Sequence, residues 1–167
     1  MTTKIIFIDG PDVSGKSTLI KNMVDWLPWI RELNFNKGLT GLLRINTPTH
    51  FEILRVLLPN LSPGYTYIVD RCYFSNIVYD KVLRNEDAQP SIDFRKWCKE
   101  NLKVLEILLD RDYINEDFND DLIKVDKNTF NDVIDAYRAI EDVDYRGIIL
   151  NSEVGKMKIE DLIYKFN

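Results

Sequence analysis

Short apolar runs alternate along this chain with stretches whose apolar residues recur every three or four positions. Compact runs bounded by polar or turn residues read as buried strands, and the longer spacing reads as one face of a helix. Strands are predicted at residues 4–9, 42–46, 65–70, 104–110 and 146–150. Helices are predicted at 19–27, closed by Pro28; at 51–58, ended by Pro59; and at 75–84 and 91–101, divided by the polar break NEDAQP. Two further stripes, Phe130, Val133, Ile134 and Tyr137, then Ile159, Leu162, Ile163 and Phe166, read as core faces with no chemistry assigned. Residues 27–38 read as an irregular connection, with Trp26 and Trp29 as packing rings. Strands alternating with helices predict an α/β three-layer sandwich, a five-stranded parallel sheet with helices on both faces. Without a linker, repeat or low-complexity tract, residues 1–167 form one domain.

Three of the predicted strands finish on an aspartate, Asp9, Asp70 and Asp110. Ligands in open sheets of this kind sit beyond the carboxyl ends of the strands. Residues 111–128 are acidic with little regular apolar pattern, and follow the fourth strand. They read either as a short lid over a ligand or as a plain solvated loop.

Composition narrows the class. A content of 45% hydrophobic and 29% charged residues is that of an ordinary globular domain. The net charge of −5 argues against nucleic acid or an anionic membrane as partner. No apolar run approaches the roughly 20 residues of a membrane span, and MTTKIIFIDG does not read as a secretion signal. Cys72 and Cys98 form no metal pattern and read as reduced thiols in a cytoplasm. A single histidine, His50, excludes a multi-histidine metal centre.

The chemistry begins directly after the first strand. GPDVSGKST, Gly10 to Thr18, fits G-x-x-x-x-G-K-[ST]. Its glycines let the backbone turn tightly around an anion, so that main-chain amides along Gly10, Asp12, Val13, Ser14, Gly15, Lys16, Ser17 and Thr18 can cradle phosphates. Lys16 reaches the outer phosphates, the Ser17 hydroxyl can ligate Mg2+, and the following helix adds its positive end. The strand, loop and helix context is present, and it predicts binding of ATP or a related nucleoside triphosphate. A second stretch, VDRCYFSNIVYD, puts Asp70 at the end of a strand with Arg71 next to it, and Ser75 and Tyr79 four apart on one helix face. There Asp70 can hold the hydration shell of Mg2+ and Arg71 can clamp a phosphate. A structural salt bridge explains the pair equally well.

Together these residues resemble thymidylate kinase and its relatives among the P-loop nucleotide kinases. Asp9, Gly10, Asp12, Gly15, Lys16, Ser17 and Thr18 match that family's loop, and Asp70, Arg71, Ser75 and Tyr79 match its Asp-Arg motif, with Cys72 in the third place. THFEILRVLL after a Thr-Pro is similar to a shortened acceptor-binding segment, with Pro48 as its proline. The resemblance implies transfer of the γ-phosphoryl group of ATP, with Mg2+, to a deoxynucleoside monophosphate, dTMP first. It places Asp12 on the acceptor's sugar, Arg71 and Arg55 on its phosphate, Ser17 and Asp70 on the metal, and a homodimer through SNIVYDKVL.

The chain departs from the family in three ways. The helix whose phenylalanine stacks on the base is missing, which leaves Phe51, Tyr73 or Phe74 for that task. The loop has Val13 where one branch has an arginine, and the lid offers only Arg111 and Lys124 where the other has a cluster. The chain is also shorter than cellular members, which fits either a minimal, viral form in a host cytoplasm or one that has changed substrate. Two rival readings follow: a deoxynucleoside or other small-molecule kinase, with Asp9 or Asp12 as base, and a nucleotide-binding module that has lost catalysis. A GTPase would need Asn-Lys-x-Asp, absent here, and a motor ATPase two acids where Asp70 is followed by Arg71.

Overall fold

The apolar runs become a sheet because most of their residues alternate between two covered faces. In the computed structural model, which describes residues 2–33, 48–119 and 124–167, strand β1 (Lys4–Asp9) turns Ile5 and Phe7 to one side and Ile6 and Ile8 to the other. The main-chain order continues with α1 (Lys16–Trp26), β2 (Ile30–Glu32), α2 (Pro48–Leu57), β3 (Thr66–Asp70), α3 (Tyr73–Tyr79) and α4 (Gln89–Asn101). It ends with β4 (Lys103–Asp110), the short strands β5 (Phe118–Asn119) and β6 (Lys124–Val125), α5 (Lys127–Arg138), β7 (Tyr145–Ile148) and α6 (Glu153–Phe166). Five strands form one parallel sheet in the order β2-β3-β1-β4-β7. Helices α2 to α5 pack on the face of Ile5 and Phe7, and α1 and α6 on the face of Ile6 and Ile8. The predicted α/β three-layer sandwich is the fold observed.

Among the described residues the second strand is one the pattern did not predict. Residues 42–46 lie outside the described residues, and β2 forms within the stretch read as an irregular connection. Ile30 and Glu32 pair with Thr66 and Ile68, and three residues suffice because this is the edge of the sheet. Trp29 lies edge-on to Tyr164, 5.7 Å between ring centroids, as a packing ring should. Trp26 does not: the buried stripe of α1 runs through Leu19, Ile20 and Met23 to Leu27, leaving Trp26 66% exposed.

The sheet order sets the site. The chain leaves β1 towards one edge and β4 towards the other, so a crevice opens beyond the carboxyl ends of these adjacent strands. Asp70, Asp9 and Asp110 end β3, β1 and β4 side by side at that crevice. The last turn of α5 reaches the same aspartates, Tyr137 bonding to Asp9 and Arg138 to Asp110. The N-cap of this helix, Asp126, accepts from the amides of Asn128 (2.9 Å) and Thr129 (3.0 Å), which fixes its start. In the stretch 111–128, β5 and β6 pair antiparallel, and Phe118 lies 4.5 Å from Phe130 of α5.

Candidate active site

The loop between β1 and α1 is closed by contacts only its own residues can make. Gly10 has φ 151°, and a Cβ there would meet the Leu109 carbonyl oxygen. Gly15 has φ 92° at the start of α1. Val13 takes φ 55° at the tip and is 59% exposed. Lys16 folds back into the loop, its Nζ donating to the carbonyls of Gly10 and Pro11 (3.0 Å each) and to Ser14 Oγ (3.4 Å). Burial first, and the Arg71 guanidinium next, lower its pKa from 10.5 to about 8. Ser17 and Thr18, in the first turn of α1, are exposed.

The second motif meets this loop across the sheet. Arg71 has φ 68° and its amide donates to Ile8 O (2.8 Å), which ties the β3 corner to β1. Its Nη2 bonds Asp12 Oδ1 at 2.5 Å, and its Nη1 donates to Ser75 Oγ (3.2 Å), Gly10 O (3.4 Å) and Tyr79 OH (3.5 Å). The Tyr79 hydroxyl donates to Asp12 Oδ2 (3.4 Å), and burial pushes its pKa up to about 12. Asp12, Arg71, Ser75 and Tyr79 are thus one cluster, as the two motifs require. The ion pair that forms joins Arg71 to Asp12 of the loop rather than closing within the second motif, and it sets the guanidinium against the loop.

Behind the cluster stands Asp9, fully buried. Its carboxylate accepts from the amides of Gly10 (2.8 Å) and Ser75 (2.9 Å), the Ser75 hydroxyl (2.8 Å) and the Tyr137 hydroxyl (2.9 Å). Arg71 Nη1 lies 3.6 Å away. One carboxylate therefore braces the loop, the start of α3 and the end of α5. Tyr137 is core, as its stripe predicts, but it also has a polar task that the stripe does not show. Arg111, leaving β4, donates from Nη1 to Asp12 O (2.8 Å).

Other expected residues sit further off. Pro48 begins α2. Arg55 places its guanidinium over Phe94 (5.7 Å) and Trp97 (5.9 Å) of α4. Phe51, Tyr73 and Phe74, weighed as base-stacking rings, are all core: Phe51 stacks on Phe94 at 4.5 Å, and Tyr73 packs on Phe7 and donates to Glu106 Oε1 (2.8 Å). They face inward because α2 and α3 turn those positions to the sheet. Cys72 and Cys98 are free and buried, and burial raises both thiols well above their usual range. Among the described residues no cluster of three His, Cys, Asp or Glu side chains forms, and no helix is long and apolar enough to cross a membrane.

The loop thus faces the Asp-Arg corner across the adjacent parallel strands β1 and β3. The chain is similar to thymidylate kinases. It is 28% identical over 127 residues to that of Caldicellulosiruptor saccharolyticus and 25% over 129 residues to that of Ligilactobacillus salivarius. Each match covers 62% of this chain and 62% of the relative, so it spans less than two thirds of the relatives' length. No family model matches. The fold is shared with the thymidylate kinase of Ehrlichia chaffeensis (TM-score 0.63, 14% identity, 98% of this chain and 100% of that one). It is shared as well with the YorR protein of Bacillus subtilis, solved with phosphorylated GDP (TM-score 0.62, 17% identity, 96% of both chains). The thymidylate kinase of Candida albicans aligns with TM-score 0.56 at 14% identity, over 98% of this chain and 92% of that one.

Proposed function

We propose that this chain is a nucleoside-monophosphate kinase, transferring the γ-phosphoryl group of ATP to a deoxynucleoside monophosphate, dTMP first. The observation that carries the reading is the Arg71–Asp12 contact, which joins the acceptor-side motif to the phosphate loop at 2.5 Å. In such a site the protein mainly positions two anions and offsets their charge. Gly10 to Thr18 would hold the ATP phosphates, with Lys16 swinging from the loop carbonyls to the outer phosphates. Arg71 would exchange Asp12 for the acceptor's phosphate, leaving Asp12 and Tyr79 for its sugar. Arg55, on the α2 side, is the second cation for the acceptor's phosphate.

The residues present fit Mg2+. The Ser17 hydroxyl is exposed in the first turn of α1, and Asp70 ends β3 opposite Ile8 of β1. Both are hard oxygen donors, and a Mg2+ bound by few protein groups keeps waters and phosphate oxygens for the rest. When bound it would offset phosphate charge.

A kinase acting on a nucleoside hydroxyl needs a free base. All four donors named above converge on Asp9, and Asp12 is held by Arg71 until an anionic group draws Arg71 away, which favours an acceptor that brings its own phosphate. The test is a coupled assay with ATP and dTMP, dCMP, dGMP or thymidine. Turnover of a monophosphate is expected, lost in Lys16→Ala, with Arg71→Ala raising the acceptor KM while ATP binding stays near normal. Turnover of thymidine alone would overturn the proposal.

A further inference from the structure

A carboxylate buried away from water keeps its charge only if donors surround it, and neutral donors satisfy it without cancelling that charge. Asp9 is such a group. Its Oδ1 accepts from the Gly10 amide (2.8 Å), the Ser75 hydroxyl (2.9 Å) and the Tyr137 hydroxyl (2.9 Å). Its Oδ2 accepts from the Ser75 amide (2.9 Å) and from the same Ser75 hydroxyl (2.8 Å). All of these donors are neutral. The Arg71 guanidinium stands 3.6 Å from Oδ1, past hydrogen-bond length, while its Nη1 donates to Ser75 Oγ (3.2 Å) and Gly10 O (3.4 Å). A carboxylate oxygen has room for about two close donors. Oδ1 is therefore full, and the cation beside it is held off by neutral groups that occupy its lone pairs.

Among these donors Tyr137 is the one brought in from the far end of the chain. Its ring is buried in the stripe of α5, and its hydroxyl also lies 3.1 Å from Ser75 Oγ. Arg146 of β7 donates from Nη1 to Tyr137 O (2.9 Å) and from Nη2 to Ile140 O, which fixes the turn that ends α5. The hydroxyl is thus aimed at β1 by a helix end pinned to β7. Without it, Oδ1 would turn an open lone pair towards a guanidinium about 0.7–0.9 Å beyond the length of a charged hydrogen bond. A hydrogen bond between two charges is roughly twice as strong as one between neutral groups. Arg71 would then close on Asp9 at the expense of Ser75 Oγ and Gly10 O. Its other nitrogen, Nη2, now 2.5 Å from Asp12, would be drawn back with it.

We propose that Tyr137 is a positioning residue for the acceptor: by saturating Asp9 it keeps Arg71 forward, where the acceptor's phosphate takes it, an inference that rests on the kinase reading above. Asp9 still holds the Gly10 amide when the hydroxyl is lost, so the phosphate loop keeps its shape. The role is confined to the anionic end of the acceptor. ATP and the nucleoside portion of the acceptor do not depend on it.

The experiment compares wild type, Tyr137→Phe, Ser75→Ala and Tyr67→Phe. Titration calorimetry gives the Kd of dTMP, of thymidine and of ATP, each alone and below the melting temperature of each protein. Crystal structures of the first three proteins place Arg71. Tyr137→Phe should raise the dTMP Kd by about tenfold, with the Kd values of ATP and thymidine within about twofold of wild type. In its structure Arg71 Nη1 should lie within about 3 Å of Asp9 Oδ1. Ser75→Ala removes another donor from the same oxygen, so it should weaken dTMP in the same direction and move Arg71 the same way. Should Tyr137→Phe fail to fold, Ser75→Ala and its structure decide instead. Tyr67→Phe removes a buried hydroxyl bonded to Ser62 O (3.2 Å), away from the site, and should leave all three Kd values alone. A Tyr137→Phe protein that binds dTMP as the wild type does, that loses dTMP, thymidine and ATP alike, or that keeps Arg71 at its present distance overturns the positioning role. A wild type that turns over no monophosphate in the coupled assay overturns the kinase reading and this inference with it.

Discussion

Lys16 is a buried cation before any nucleotide arrives, and that state has a measurable cost. A pKa lowered from 10.5 to about 8 corresponds to roughly 3 kcal/mol of disfavoured charge. Because the folded value lies below the unfolded one, this penalty is complete below pH 8 and fades as the pH rises towards 10.5. Under the proposed function, a bound triphosphate would restore the charged form. ATP binding at pH 9 should therefore take up a substantial fraction of a proton, and binding at pH 7 almost none through this group. Calorimetry in two buffers of different ionisation enthalpy reads the difference, and Lys16→Met should abolish it. Lysine, glycines and serine were legible because the motif fixes four residue types within a span of eight. Tyr137 was not legible in the same way. A tyrosine in an apolar helical stripe reads as a ring, and its hydroxyl finds Asp9 from 128 positions away. Burying that tip without a partner would be costly, and this is the physical hint such a residue carries. Tyr137→Phe keeps the ring and removes one donor to a buried carboxylate, so urea unfolding should show a loss of about 1–3 kcal/mol.

At the scale of elements, the strands carried by an apolar run of four or more residues were readable, and the three-residue strand was missed. Residues 4–9, 65–70, 104–110 and 146–150 fall close to β1, β3, β4 and β7. β2 carries a single fully buried position, Ile30, and three residues too few to show a period. The joints between elements are legible only where glycine marks them. Gly10 is such a joint: β1 ends there, β4 passes behind it, and its φ of 151° is open to glycine alone. Gly10→Ala has to move either the loop or Leu109 of β4. The expected cost is a few kcal/mol in chemical denaturation, together with weaker ATP binding, because the same shift displaces the carbonyl that receives Lys16. A variant with native stability and native ATP affinity would show that the loop is softer than its backbone implies.

Across the whole molecule, the proposed phosphate site and the hold on the helical layer lie on different charges of the same strand. β4 ends at Asp110 beside the loop, while Glu106, four residues and about 13 Å earlier, is fully buried under α3 and α4. Glu106 accepts from Arg95 Nε and Nη2 (2.8 and 2.6 Å) and from the Tyr73 hydroxyl (2.8 Å), and pairs with Lys99 (2.9 Å). Arg95 and Lys99 also donate to the carbonyls of Glu141 and Asp142, which fastens α4 to the turn before β7. Removing one member of a buried network leaves the others desolvated and unpaired, which costs more than the network contributes over an apolar substitute. Glu106→Leu strands Tyr73 and Arg95 and should lower unfolding stability by about 3–5 kcal/mol. Replacing Glu106, Arg95 and Tyr73 together by Leu, Met and Phe should recover most of that loss. Neither variant touches the loop, Asp12 or Arg71. Below its melting temperature each should keep the acceptor KM and the ATP Kd of the wild type, measured in the same coupled assay. A Glu106→Leu protein that stayed folded but lost acceptor affinity would mean that the helical layer shapes the acceptor pocket directly, and the separation drawn here between holding the fold and gripping the phosphates would fail.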